Sequence, residues 1–303
     1  MKIAVIGPGA MGLLYGAKLS ALAEVVLVGN NAEHVKEIND NGITLKRDGN
    51  ETVYHVPAVL SGQKTEPADM IILFTKAYLT EAALEQNKVL IGPNTILLTL
   101  QNGAGHEEVL SKVTDKKNIL IGTTAQGSYR ENAHTIVNSG LGDTVVGAIS
   151  DGFTGIEEVR DAFDQSGFPC KVSDNIGQAV WNKLMINASS SVLSGVLGVN
   201  QGYVAQNSHA WEICKDLIRE ICMTAAGEGY SFDGEEQIAR IANHLKNAPG
   251  GYTSIYADLK NGRKTEVDYI SGAVVRAAKR QGKTVPTQEL MVHMVHAMED
   301  RKQ

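Results

Sequence analysis

At 303 residues the chain is long for one domain and ample for two. Its 43% hydrophobic and 20% charged residues are an ordinary globular balance, which excludes a disordered or fibrous protein. A net charge of −6 without a basic cluster argues against nucleic acid as a partner, and no stretch approaches the roughly eighteen apolar residues of a membrane span.

The start, Met1–Gly12, is apolar but runs into a glycine loop, so it reads as a first strand and not as a cleavable leader. Cys170, Cys214 and Cys222 are odd in number and form no C-x-x-C pair, which fits neither a disulfide scaffold nor a zinc site and points to the cytoplasm. Cys214 and Cys222 fall on one apolar helical stripe, where a free cysteine acts as a small hydrophobe.

In chain order, apolar runs at Ile3–Ile6, Val25–Val28, Met70–Phe74, Ile96–Leu100 and Ile119–Gly122 alternate with helix-like segments. Continuous Ile/Val/Leu runs of this length suit a parallel sheet covered on both faces, and the alternation predicts right-handed βαβ units. Thr135–Asn138 and Thr144–Ile149, spaced by Gly140 and Gly142, read as a terminal hairpin. Beyond about Lys171 the periodicity becomes helical. Ile176, Val180, Leu184, Asn187 and Ser191 share one broad face, and Cys214, Leu217, Ile218, Ile221, Cys222 and Ala225 recur at three and four. Further helices are predicted at 233–246, 252–260, 266–281 and 287–301, with Gly282 and Pro286 between the last two. The expected architecture is α/β: a Rossmann-type dinucleotide-binding domain over residues 1–171, followed by an all-α domain over 172–303.

Gly7-Pro8-Gly9-Ala10-Met11-Gly12 follows the first strand and opens a helix. Gly7 permits a tight turn, Gly9 lets a pyrophosphate approach the backbone, and Gly12 lets helix and strand pack closely. The amides of Ala10, Met11 and Gly12 then face the phosphates. At the end of the second strand an acid would hold ribose hydroxyls and an arginine would accept a 2′-phosphate. Asn30 is neither, and a neutral side chain tolerates a phosphate better than an aspartate does. The expected cofactor is NADP(H), with NAD(H) left open.

Lys183 and Asn187 lie four apart, on one helical face. Hydride addition to a carbonyl develops negative charge on oxygen, and an ammonium there lowers the barrier and delivers the proton. A solvated lysine explains the same spacing. Thr265 followed by Asp268 resembles a capping box and predicts Glu266 in a first helical turn, where the dipole favours its charged form. A plain first-turn acid explains that as well.

Five separated motifs in order resemble the ketopantoate reductase (2-dehydropantoate 2-reductase) family. They are the glycine loop, Thr75-Lys76-Ala77, Gln101-Asn102-Gly103, Trp181-Asn182-Lys183 with Asn187, and Thr265-Glu266-Val267-Asp268-Tyr269. The resemblance covers nearly the whole chain and implies reduction of ketopantoate to D-pantoate in pantothenate biosynthesis. It implies that Lys183 is the general acid, that Glu266 binds the substrate hydroxyl and orients Lys183, that Ser254 binds the substrate carboxylate and that Asn187 contacts substrate. Asn102 and Lys76 would reach the cofactor and the cleft floor, with the active site between the two domains. The chain departs from the family pattern at Ser191 and Gln201, where asparagines are usual, and at Asn30, where arginine is common. Ser191 is retained as a substrate-binding candidate.

The expected partners are a 2-keto acid and no nucleic acid or membrane, with a homodimer left open. No metal is expected, because His293 and His296 lack an acid at ligand spacing. The rival enzyme is a D-2-hydroxyacid dehydrogenase of the same family acting on branched 2-keto acids with NADH. A non-catalytic nucleotide sensor would need only the glycine loop, not Lys183 and Glu266.

Overall fold

The computed structural model describes residues 1–63, 66–247 and 250–301. They form two compact units: Met1–Gln101 with His106–Ile176, and Asn102–Gly105 with Gly177–Gln303.

The first unit runs β1 (Lys2–Ile6), α1 (Ala10–Leu19), β2 (Glu24–Gly29), α2 (Ala32–Asn41), β3 (Ile43–Arg47), β4 (Asn50–Tyr54), β5 (Ala58–Leu60), β6 (Ala68–Leu73), α3 (Thr80–Gln86) and β7 (Ile91–Thr99). It continues with α4 (His106–Leu110), β8 (Ile119–Thr124), β9 (Gly127–Arg130), β10 (Thr135–Gly140), β11 (Thr144–Ala148), α5 (Ile156–Gln165) and β12 (Cys170–Val172). Eight strands form one sheet in the order β12-β11-β8-β7-β6-β1-β2-β5. All its neighbours are parallel except β11 and β8. This is the Rossmann-type sheet that the apolar runs predicted, its central strands buried along their length.

The predicted hairpin between the 135–138 and 144–149 runs does not form. β10 joins a second, four-stranded sheet in the order β4-β3-β10-β9, pairing parallel to β3, whereas β11 pairs antiparallel to β8 in the main sheet. The glycines between them act as a crossing and not as a tight turn. A Cβ at Gly142 would stand 2.5 Å from the Cβ of Ala125, so the chain there lies against the segment leaving β8.

Tyr15 on α1 is fully buried against this sheet. Its ring stacks on Phe168 at 4.0 Å between centroids, and its hydroxyl lies 2.8 Å from the hydroxyls of both Thr124 and Thr144. One side chain thereby ties α1 to β8 and β11, across an antiparallel pair that no local sequence signal joins. Burial pushes the phenol up to about 12.

In the second unit every regular element among the described residues is helical: α6 (Ile176–Ile186), a π turn (Asn187–Ser191), α7 (Val192–Leu197), α8 (Gln201–Gln206), α9 (Ser208–Gly227), α10 (Gly234–Asn247), α11 (Ser254–Lys260), α12 (Ser271–Arg280) and α13 (Pro286–Glu299). The α9 residues picked out by three-and-four spacing are all buried in its core. Cys214 and Cys222 sit among them with their thiols pushed up by burial, to about 12 and about 11.

Replacing Tyr15 with Phe keeps the ring packing and removes two buried hydroxyl contacts. Thr124 and Thr144 stay 3.3 Å apart and can satisfy each other. The loss of stability should therefore be modest, about 1–2 kcal/mol by urea denaturation. A neutral result would mean the two threonines re-pair without cost.

Candidate active site

β1 lies between β6 and β2, so the main sheet changes its direction of growth at β1 and opens a crevice at the strands' carboxyl ends. The glycine loop sits there. Gly7 donates its N–H to the Val28 carbonyl at 3.0 Å and adopts φ +98°, and a Cβ on it would stand 2.6 Å from the Thr75 nitrogen. A Cβ on Gly12 would collide with the Gly7 carbonyl, so only glycine lets α1 descend onto the loop. Gly9 differs from both, with nothing within 4 Å of its missing Cβ. Gly9 is also the N-cap of α1, and no side chain caps that first turn, which begins Ala10-Met11-Gly12. Open space over uncapped first-turn amides fits a dinucleotide pyrophosphate. Asn30 follows β2 directly and is exposed, while the neighbouring Asn31 is occupied in capping α2 through the His34 N–H.

Gln101 organises the loop after β6. Its Nε2 donates to the Thr75 carbonyl at 2.6 Å and to the Thr80 hydroxyl at 2.9 Å, and its Oε1 accepts from the Thr99 hydroxyl at 2.8 Å. Thr75 and Gln101, the first residues of two motifs that are separate in sequence, are thus joined by hydrogen bonds. Lys76 is the half-buried residue that starts the short 3₁₀ turn Ala77–Leu79.

In the second unit, Lys183 on α6 is half-buried and Glu266 is buried at 7% exposure. Desolvation lowers the Lys183 ammonium to about 8, and the charge of Glu266 opposes that shift. The structure therefore couples this lysine and this glutamate, 83 positions apart (266 − 183).

The position of Glu266 differs from the expected first helical turn. α12 starts only at Ser271, and Ile270 before it has φ −98° and ψ −92°, outside helical geometry. The Thr265 hydroxyl accepts the Val267 N–H two residues on, so it closes a small turn and is not the N-cap of a helix. Glu266 is presented by a turn ahead of α12 and not by its first helical turn. Asn102 is brought to the same turn: Ala104 donates to the Tyr269 carbonyl at 3.0 Å, and Gly103, at φ +102°, packs directly on Tyr269.

Asn187 and Ser191 bound a feature that the sequence pattern did not predict. The helix widens between them into a π turn, with Val192 N–H reaching back five residues to the Asn187 carbonyl. The hydroxyls of Ser189 and Ser190 bond backward to the carbonyls of Met185 and Ile186, which weakens the regular ladder. The signal was legible as Asn187-Ala188-Ser189-Ser190-Ser191, four weak helix formers in an otherwise apolar helix. Ser191 is then held from two sides: its hydroxyl accepts from Gln201 Nε2 at 2.9 Å and its carbonyl from the Thr253 hydroxyl at 3.3 Å. Two of the three residues that depart from the family pattern, Ser191 and Gln201, are bonded to each other. Ser254, exposed, follows Thr253 as the first residue of α11.

Residues 3–151 match the family model described as ketopantoate reductase PanE/ApbA, and residues 175–299 match its C-terminal companion. The chain belongs to the ketopantoate reductase family. It is 31% identical to 2-dehydropantoate 2-reductase of Lactococcus lactis subsp. lactis (strain IL1403), over 99% of this chain and 98% of that one. Against the 2-dehydropantoate 2-reductase of Pyrococcus horikoshii it is 29% identical with the same coverage. Among solved structures it is similar to D-mandelate dehydrogenase in a ternary structure with NADH and anilino(oxo)acetate, at 33% identity and TM-score 0.94 over 99% of both chains. Family and relatives make this chain an oxidoreductase that acts on a CH–OH group with a nicotinamide dinucleotide. No helix among the described residues is long and apolar enough to cross a membrane.

The glycines give a paired expectation. Gly12→Ala should lower the melting temperature and weaken dinucleotide binding together, because the helix must shift. Gly9→Ala should leave the melting temperature nearly unchanged and weaken binding alone, because its Cβ fills the space open to the phosphates. Fluorescence titration with NADH and NADPH beside thermal melts checks both, and equal melting losses in the two variants would contradict the geometry.

Proposed function

We propose that this protein reduces ketopantoate to D-pantoate with NADP(H), and that Lys183 and Glu266 carry the chemistry. The carrying observation is the electrostatic coupling of a desolvated lysine to a buried glutamate in the turn beside Asn102. A bound nicotinamide would be the source of the hydride for the keto carbon. Lys183 donates its proton to the keto oxygen as charge develops there, and Glu266 keeps the ammonium protonated despite its desolvation. Glu266 also receives the substrate hydroxyl, Ser254 the carboxylate, and Asn187 and Ser191 line the substrate from the π turn. Gly7, Gly9, Ala10, Met11 and Gly12 hold the pyrophosphate, Asn30 the adenosine ribose, and Lys76 and Asn102 approach the cofactor. Three free, buried cysteines suit a reducing, cytoplasmic setting.

A second reading is a D-2-hydroxyacid dehydrogenase using NADH. The structural likeness to D-mandelate dehydrogenase with NADH favours it, as do the Ser191–Gln201 pair and Asn30 in place of the usual asparagines and arginine. The two readings part on the ratio of kcat/KM for ketopantoate over 2-ketoisovalerate and phenylglyoxylate, each measured with NADPH and NADH. A preference for ketopantoate carries the first reading. A preference for the acids that lack its hydroxyl carries the second, because the hydroxyl is then unrecognised.

The proton role has its own signature. Reduction needs protonated Lys183, so its rate should fall as pH rises through about 8, while oxidation of the hydroxy acid should rise over the same range. Glu266→Gln removes the charge that raises the lysine, so the falling limb should move to lower pH. Lys183→Ala should cost on the order of 10²–10⁴ in kcat. A pH-independent reduction rate between 7 and 10 would exclude Lys183 as the acid.

A further inference from the structure

Helix α13 supplies none of the residues assigned above, yet it makes direct polar contacts with both substrate-facing segments of the second unit. Near its start, Gln288 is fully buried and its Nε2 donates to the carbonyl of Ala188 at 2.9 Å. Ala188 lies inside the π turn, one residue after Asn187. Near its end, Glu299 Oε1 accepts the N–H of Thr265 at 2.7 Å, immediately before Glu266, and His296 pairs with Asp268 at 3.1 Å. The start of the helix is itself fixed, because the carboxylate of Glu220 on α9 accepts the N–H of Thr287 at 2.9 Å and of Gln288 at 2.8 Å.

Packing alone does not explain these residues. Burying a primary amide costs free energy unless its groups are bonded, and Gln288 Oε1 has no partner among the described residues. A methionine or leucine would fill the same volume without that cost, so what the glutamine adds is its donor, which meets the Ala188 carbonyl at 2.9 Å and, at a longer 3.4 Å, the Leu217 carbonyl of α9. Thr265 is likewise buried, at 1% exposure, and its N–H meets a carboxylate, which makes the bond charge-assisted. The His296–Asp268 pair is exposed on both sides and contributes little.

We propose that α13 is the template of the active site: Gln288 sets the π turn that presents Asn187 and Ser191, and Glu299 sets the turn that presents Glu266. Both are positioning residues, acting through backbone groups and touching no substrate. The proposal rests on the substrate-site reading given above, but the two fail separately.

Gln288→Met, Glu299→Ala and Glu299→Gln test it in the full chain. In Gln288→Met, amide exchange of residues 187–192 should quicken at least tenfold while α10 exchange is unchanged, and the KM for the 2-keto acid should rise about tenfold at constant dinucleotide affinity. In Glu299→Ala, the turn that carries Glu266 loses its anchor on α13. The pH midpoint for acylation of Lys183, read by mass spectrometry without any turnover, should then move down. Glu299→Gln keeps an oxygen acceptor for the Thr265 N–H and should restore it. Unchanged exchange in Gln288→Met, an unchanged Lys183 midpoint in Glu299→Ala, or no restoration by glutamine overturns the proposal. Parallel losses in melting temperature, KM and dinucleotide affinity also overturn it, since they mark general damage. If the unmodified protein turns over no 2-keto acid, the functional reading falls, and exchange and acylation still judge the role of α13.

Discussion

Helix α1 reaches the main sheet only because positions 12 and 16 carry no side chain. A Cβ at Gly12 would meet the Gly7 carbonyl and one at Gly16 would meet Leu27, so the helix lies closer to the strands than any alanine would allow. That approach sets the depth at which Tyr15 enters between the sheet and Phe168, and it aims the first-turn amides over the open space at Gly9. The same backbone contact serves packing and leaves that space open. The dinucleotide site proposed there would be made of main chain, with Asn30 and Lys76 as the side chains proposed at its edges.

Much of the first unit was legible because its central strands are buried on both faces and therefore read as unbroken apolar runs. The small second sheet escaped because its strands are half exposed. β3 alternates Ile43 and Leu45 inward with polar residues outward, and β4 is exposed along most of its length. A local signal existed all the same. Asp48-Gly49 joins β3 to β4 as a two-residue turn with both φ values positive, the conformation that an Asp-Gly pair favours in a hairpin. The partner of β10 had no such signal, since β3 lies about ninety residues earlier in the chain (135 − 43 = 92 between their first residues) and only the tertiary fold brings them together.

At the site, residue types were easier to read than their presentation. Spacing alone leaves plain readings for Lys183 and Glu266, and it is the family resemblance that singles them out, while their electrostatic coupling comes from the fold. Helical spacing placed Asn187 and Ser191 on one face but carried no information about the extra residue in the π turn, which depends on serine back-bonding and on a buried glutamine some hundred positions away (288 − 188 = 100). The capping spacing of Thr265 and Asp268 points to a helix at Glu266. The actual turn is decided by what meets Thr265, a carboxylate from the last helix.

The segment Asn102–Gly105 belongs to the helical unit, although the residues on either side of it belong to the sheet unit. The chain accordingly changes unit at Gln101/Asn102, at Gly105/His106 and again at Ile176/Gly177. A single cut near residue 176 therefore does not yield two whole parts: the C-terminal fragment would lack the four-residue segment whose Gly103 and Ala104 meet Tyr269, leaving that carbonyl without the Ala104 N–H. Chimeras that exchange substrate preference between relatives inherit the same bookkeeping. A recombination junction after the last strand transfers the helices but leaves behind a four-residue patch of the acceptor's own sequence, and that patch must travel with the graft for Asn102 and Glu266 to come from one parent.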